Sequence, residues 1–378
     1  MATRPPRGTP VAFSWPGESW HPIFYDLSFV AVVLVLADAF AVDHSLSMAA
    51  WLLLVFGVLW LLWFVTMLLE RRRPVGALRV GVLTVQMALL LAAAMASDDT
   101  IADNSPWFAA LVGVALLLTS LLVRPGQGPE NRRPFVGLLV AAAAWLVSVA
   151  LWSSWLVLGA WAVALLAMLF TARELLMVGG ADQQRLGRRL GELTVVVIGE
   201  SFLKVGLAAG DVPVNEVSVL GLAIVFVVCT CVWWDYFIGP RLAPHGATHT
   251  LVWATGQWAM HLALIWLAVG LAKILVDASH LDPEVVASLV VLPAAVLTAS
   301  LAYLDIVSGV GAAGLRLTVH AAQTLVLVAL ALALWLGGWP DTRVAGLVVA
   351  LVVAGGALAL AATAVAEGEA FDREHDQA

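Results

Sequence analysis

Residues 189–209, RLGELTVVVIGESFLKVGLAA, decide how the chain is read. The stretch is long and apolar enough to cross a bilayer, yet Glu192, Glu200 and Lys204 punctuate it. An ionised side chain at the centre of a membrane helix costs roughly 2.5–3.5 kcal/mol on insertion scales, so it persists where it has a partner or a task. Residues 24–40, FYDLSFVAVVLVLADAF, carry Asp26 and Asp38 in the same way. Both stretches point to a membrane protein with a polar interior site.

The rest of the chain agrees. It has 378 residues, 62% of them hydrophobic and only 12% charged, against about 25% charged in soluble domains. The net charge of −7 comes with no basic stripe interleaved with aromatics, so nucleic acid is not an expected partner. The expected partners are the lipid bilayer and a small molecule or ion. Cys229 and Cys231 stand two apart in an apolar run, which points them to different helix faces. They read as small core residues, not as a disulfide or metal site, and no metal or cofactor is expected.

Apolar runs of about 20 residues between short polar breaks mark spanning helices. Twelve can be drawn: 24–42, 48–69, 77–96, 106–123, 135–152, 155–178, 190–209, 214–238, 251–276, 285–304, 315–335 and 343–366. The fold class is therefore an all-α polytopic membrane protein of about 12 transmembrane helices. Residues 1–23 read as a cytoplasmic tail, 24–366 as the helical domain and 367–378 as an acidic, solvated cytoplasmic tail. The first apolar run is too long for a signal-peptide core and reads as a retained anchor. Only Ser153 and Ser154 divide the fifth and sixth helices.

Arginine sets the orientation. With the amino terminus cytoplasmic, sixteen arginines from Arg4 to Arg373 share its side, and Arg343 alone lies opposite. The positive-inside rule then places both termini in the cytoplasm. The far side is acidic, with Asp43, Asp98, Asp99 and Asp103 among its residues. Trp20, Trp51, Trp107, Trp152, Trp155, Trp253 and Trp339 fall near helix ends and read as interfacial anchors. Asp26-Leu27-Ser28 opens the first helix and Glu192-Leu193-Thr194 the seventh, 166 residues on. That offset suggests two parallel six-helix halves, 24–178 and 190–366, as in some transporters.

At 1.5 Å of rise per residue, position becomes depth. Asp26 and Glu192 lie within about a turn of the cytoplasmic boundary, where arginines can meet them. Glu200 lies roughly 15 Å in, and Asp38 and Lys204 roughly 20 Å in. His261 and Gln86 reach about the level of Glu200. Glu192, Glu200 and Lys204 share one helix stripe, which is expected to face the bundle interior. Asp38, Glu200, Lys204 and His261 are the expected substrate- or ion-binding groups, supported by Asp26, Glu192, Gln86, Asp235 and Tyr236. A lone histidine on an apolar helix reads first as a hydrogen-bonded core residue; beside a buried carboxylate His261 would instead exchange a proton and help relay it. Trp233, Trp234, Asp235 and Tyr236 read as an aromatic belt with an exposed aspartate. Asp305, Arg316 and His320 read as a salt-bridge patch.

Four stretches carry a resemblance. HPIFYDLSFVAVV (21–33), RRLGELTVVVIGES (188–201), the helix end Trp233, Trp234, Tyr236, Phe237 and the segment His261-Leu262-Ala263-Leu264 stand in the order seen in the bacterial low temperature requirement protein A (LtrA) family. The chain resembles that family from about residue 20 to beyond 270. It departs in His21-Pro22-Ile23, in Arg188 where an acid is usual, and in a basic cluster after the eighth helix that is reduced to Arg241. The resemblance implies a polytopic bacterial inner-membrane protein, with Asp26, Glu200 and His261 at the polar motif positions. Its name records growth in the cold, which is not a mechanism.

The leading expectation is a secondary transporter or ion- or proton-coupled permease. No phosphate-cradling loop is present, which argues against an ATP-driven pump. An intramembrane enzyme acting on a lipid is less favoured, since His-Glu-x-x-His and Gly-x-Ser-x-Gly spacings are absent. A non-catalytic scaffold or assembly factor remains the other alternative.

Overall fold

The computed structural model describes residues 20–42, 46–70, 76–96, 106–123, 128–152, 154–179, 183–210, 216–238, 244–277, 282–309, 313–337 and 342–375. Among them the chain is all-helical: α1 (Trp20–Val42), α2 (Leu46–Glu70), α3 (Ala77–Ala96), α4 (Pro106–Ser120), α5 (Pro129–Ala150), α6 (Leu156–Gly179), α7 (Gln183–Gly210), α8 (Glu216–Ile238), α9 (Ala247–Asp277), α10 (Pro283–Ser308), α11 (Ala313–Gly337) and α12 (Thr342–His375). Ten are long and apolar enough to cross a membrane, and α1 and α4 contribute shorter apolar segments. The twelve-helix reading holds. α12 continues past Ala366, where the sequence ends its span, to His375.

Local chemistry explains several boundaries. Pro106, Pro129 and Pro283 open helices, where a missing N–H costs nothing because the first turn has no acceptor for it. The α5/α6 break is real: Ser154 Oγ accepts the Leu156 N–H at 3.1 Å and caps the start of α6. Gly309, at φ 64°, closes α10 in the left-handed conformation that glycine adopts without strain. Inside α10, residues Ala287–Val291 form a π turn, with the Leu292 N–H reaching back to Ala287 O. Pro293 follows, so the Leu289 carbonyl has no donor four residues on. That carbonyl presses against Gly270 of α9, where even a methyl group would overlap it.

α2, α9 and α10 form the enclosed middle of the bundle, with 72–83% of their most apolar windows buried. The other long helices turn more than half of theirs outward. In the first six helices α1 packs on α2 and α3, α2 on α6, α3 on α4, α4 on α5, and α5 on α6. Six helices later the same relations recur: α7 on α8 and α9, α8 on α12, α9 on α10, α10 on α11, and α11 on α12. α1 meets α7 and α9, and α9 also meets α2 and α6. Two expected interfacial anchors are core residues instead. Trp253 is fully buried, and buried Trp51 packs against Phe108 and Trp161. A helix end covered by neighbouring helices hides its aromatics from any interface. Cys229 is buried, Cys231 is half-buried, and both are free.

Candidate functional site

The beginnings of α1, α3 and α7 and the end of α2 lie at the bundle end where the sequence places the arginines. There Asp26 is fully buried and takes a two-pronged ion pair from Arg189, Nη1 to Oδ2 at 2.8 Å and Nη2 to Oδ1 at 3.0 Å. Trp63 of α2 donates its indole N–H to Asp26 Oδ1 at 2.9 Å. Arg189 also reaches Glu192 Oε2 at 3.1 Å, and Arg188 pairs with Glu192 Oε1 at 3.0 Å. Glu70 and Arg79 form a neighbouring pair at 3.5 Å. The expected meeting of Asp26 and Glu192 with arginines is what the helices make. Arg189 carries the contact to Asp26, so the departure at Arg188 does not remove it.

His261 is fully buried one helix turn deeper. Trp60 of α2 donates its indole N–H to His261 Nδ1 at 3.2 Å, and Thr194 of α7 lies 2.9 Å from Nε2. An indole N–H only donates, so Nδ1 is an acceptor and carries no hydrogen. Thr194 gives its own hydroxyl hydrogen to the Leu190 carbonyl at 2.8 Å, so its oxygen accepts from Nε2–H. His261 is therefore a neutral ring with both nitrogens satisfied, tying α2, α7 and α9 together. This corrects the expected relay with Glu200. Glu200 stands six residues beyond Thr194, which at 100° per residue turns it about 120° away. Depth is legible in sequence; the rotation of one helix against another is not. Replacing His261 with leucine should cost about 1–3 kcal/mol, because the buried Trp60 N–H and the Thr194 hydroxyl each lose a partner. Thermal unfolding of the purified protein reads this directly.

The charged stripe of α7 needs a second correction. Leu190, Leu193, Thr194, Val197, Ser201 and Val205 form the buried face, whereas Glu192, Glu200 and Lys204 run half-buried along its flank. The strongest apolar surface takes the centre of the contact and leaves the charges at its edge. Glu200 nonetheless has one carboxylate oxygen, Oε2, buried without a hydrogen-bond partner. Asp38 lies in α1, but its side chain falls outside the described residues.

The supporting residues serve packing in a readable way. Gln86 Nε2 donates to Thr66 at 2.9 Å and to Thr119 at 3.0 Å, joining α2, α3 and α4. Tyr236 donates to Gln257 Oε1 at 3.2 Å, joining α8 to α9. Asp235 is buried and not the exposed belt residue expected, because Arg316 at the start of α11 folds over it, Nη2 to Oδ1 at 3.3 Å. Asp305 and His320 complete the expected salt-bridge patch, with His320 Nε2 3.3 Å from Asp305 Oδ2. Trp60, Trp63, Thr194 and Gln323 were missed. The tryptophans of Leu59-Trp60-Leu61-Leu62-Trp63 were the available signal, being three apart on one face of an otherwise apolar helix.

A family model described as the bacterial low temperature requirement A protein (LtrA) matches residues 18–366 of the chain. The chain belongs to the LtrA family. Asp26, Glu200 and His261 all fall inside the matched region, and in this LtrA protein they occupy three different settings: a paired lock, a half-buried flank and a neutral bracket. Neither a curated protein nor a solved structure matches the chain. Among the described residues no group of three or more His, Cys, Asp and Glu is placed to hold a metal ion.

Proposed function

We propose that this LtrA protein is a secondary transporter of a small molecule or ion, coupled to a proton or cation. In this reading it sits in the bacterial inner membrane with both termini cytoplasmic, and its halves are parallel six-helix repeats. The recurring pattern of helix neighbours supports that architecture, as do the sixteen arginines on one side.

One observation carries the reading: Glu200, just past the midpoint of the 28-residue α7, keeps a buried carboxylate oxygen with no hydrogen-bond partner. Asp26, by contrast, has both carboxylate oxygens bonded, and Glu70 and Asp305, which also have an unbonded oxygen, each have an arginine beside them. Glu200 thus takes up the coupling cation or proton, with Lys204 one turn further along the same flank as the compensating charge. The Asp26–Arg189 pair and the Trp60–His261–Thr194 bracket close the arginine-rich end beneath it. Loading Glu200 changes the charge balance along α7, which biases one helix packing over another.

The test uses vesicles loaded with a pH-sensitive dye and bathed in a small-molecule extract of bacterial cells. Wild type should move protons with its substrate, and Glu200→Gln should fall to the level of empty vesicles while melting at the same temperature. Equal flux in the two proteins would end the transporter reading. The hydrogen bonds of Gln86 to Thr66 and Thr119, which tie three helices together, favour the scaffold reading, which expects no flux from either protein.

A further inference from the structure

Polar atoms without a bond gather next to the Asp26–Arg189 pair, where α1 packs on α2 and α3. Tyr25 precedes Asp26 in α1, and its side chain lies beside Thr66 and Glu70, one turn apart on α2. Gln86 of α3 donates to Thr66 at 2.9 Å, and Arg79, two turns earlier on the same face of α3, pairs with Glu70 at 3.5 Å. Tyr25, Thr66, Glu70 and Gln86 are all buried. Yet the Tyr25 hydroxyl, Glu70 Oε1 and Gln86 Oε1 each lack a hydrogen-bond partner among the described residues. The orientation of Gln86 is fixed by Thr119, which gives its own hydrogen to the Ala115 carbonyl at 2.7 Å and so accepts from the amide nitrogen. Oε1 is therefore the end left over.

Buried polar atoms are costly to leave unbonded, and their chemistry decides what suits them. A carboxylate oxygen and an amide oxygen only accept, and the Tyr25 hydroxyl both accepts and donates. An anion would bring no hydrogen and would meet the charge of Glu70. A cation is opposed by Arg79, Arg189 and Arg185, whose charges already act on Glu70. A neutral molecule with hydrogens to give and lone pairs to offer suits all three atoms. Water is that molecule: inside proteins it makes about two to four bonds to buried groups that lack other partners. It also bridges polar groups that stand too far apart to bond directly.

We propose that the space bounded by Tyr25, Thr66, Glu70 and Gln86 is a binding site for ordered water, joining α1, α2 and α3 next to the Asp26–Arg189 pair. Water there gives Glu70 Oε1 and Gln86 Oε1 a hydrogen each and takes the one that Tyr25 offers. A hydrated line then runs from the arginine-rich end, at Glu70 and Arg79, inward to the level of Gln86. The site is separate from Glu200, and it stands whether or not the protein transports.

Hydroxyl-radical labelling of the purified full chain tests it. A short X-ray pulse splits bound water in place, and the radicals mark the side chains they touch even where bulk solvent does not reach. Phe29 is the internal control: it is as buried as Tyr25, one turn further along α1, and packs against Phe56 and Trp63. After correction for the reactivity of the two rings, Tyr25 should take up oxygen several-fold faster than Phe29. A Tyr25 no faster than Phe29 would overturn the proposal, whether the space is closed or filled by a solute. Gln86→Leu removes one acceptor and should bring Tyr25 down towards the rate of Phe29; a folded variant with an unchanged Tyr25 rate would overturn the site equally. Should Gln86→Leu fail to fold, the two wild-type rates decide alone. Rapid labelling without vesicle flux fails the transporter reading alone; Glu200-dependent flux without rapid labelling fails this inference alone.

Discussion

Arg189→Met should lower the stability of the protein by about 3–5 kcal/mol, the usual cost of leaving one partner of a buried ion pair alone. Asp26 is 1% exposed and Arg189 11% exposed, so water cannot replace the missing guanidinium. Two of the three bonds to the Asp26 carboxylate disappear with it, leaving only the Trp63 N–H. Glu192 adds to the loss, since its Oε2 also leans on Arg189. The double variant Asp26→Leu with Arg189→Met should recover most of the stability, because two apolar side chains of similar volume need no partner. A double-mutant cycle on thermal melts measures the coupling. Simple additivity of the two single losses would mean the pair does not hold α1 to α7.

Gly270→Ala is the second large effect expected, about 1–3 kcal/mol of destabilisation, with Gly270→Val worse. The obstacle is backbone, not a side chain that can swing aside. The Leu289 carbonyl is fixed by the π turn and by Pro293, which offers it no donor, and it occupies the space a methyl group would need. Gly199→Ala is the control. Nothing lies within 4 Å of a methyl group there, and alanine favours helix over glycine by up to about 1 kcal/mol. The two alanine variants should therefore move the melting temperature in opposite directions.

The helix count was legible because bilayer thickness fixes the length of an apolar run, and Pro106 and the Ser153-Ser154 break mark two of the boundaries; the starts at Pro129 and Pro283 lie before the apolar runs drawn from 135 and 285. The pairing of Asp26 with an arginine and the meeting of Asp305, Arg316 and His320 were legible from depth, since charges at one level find each other. Helix rotation was not legible. In a soluble helix the polar face announces which side is out, but a membrane helix is apolar against lipid and against its neighbours alike. That is why the α7 stripe sits on a flank, why His261 faces Trp60 and Thr194 instead of Glu200, and why Asp235, Trp51 and Trp253 are covered. Each depends on a neighbour that sequence spacing cannot name.

Two kinds of buried charge thus coexist in this LtrA protein, and they call for different outcomes. Those matched on every side hold helices together. Glu200, on the flank of α7 with a buried and unbonded Oε2, is the carboxylate proposed to change its charge.

Side-by-side vesicle flux and thermal melting of Glu200→Gln and of the Asp26→Leu, Arg189→Met double variant separate them most directly. Glu200→Gln should keep the wild-type melting temperature and lose flux. A folded Glu200→Gln protein that carries protons at the wild-type rate would contradict the assignment of that carboxylate.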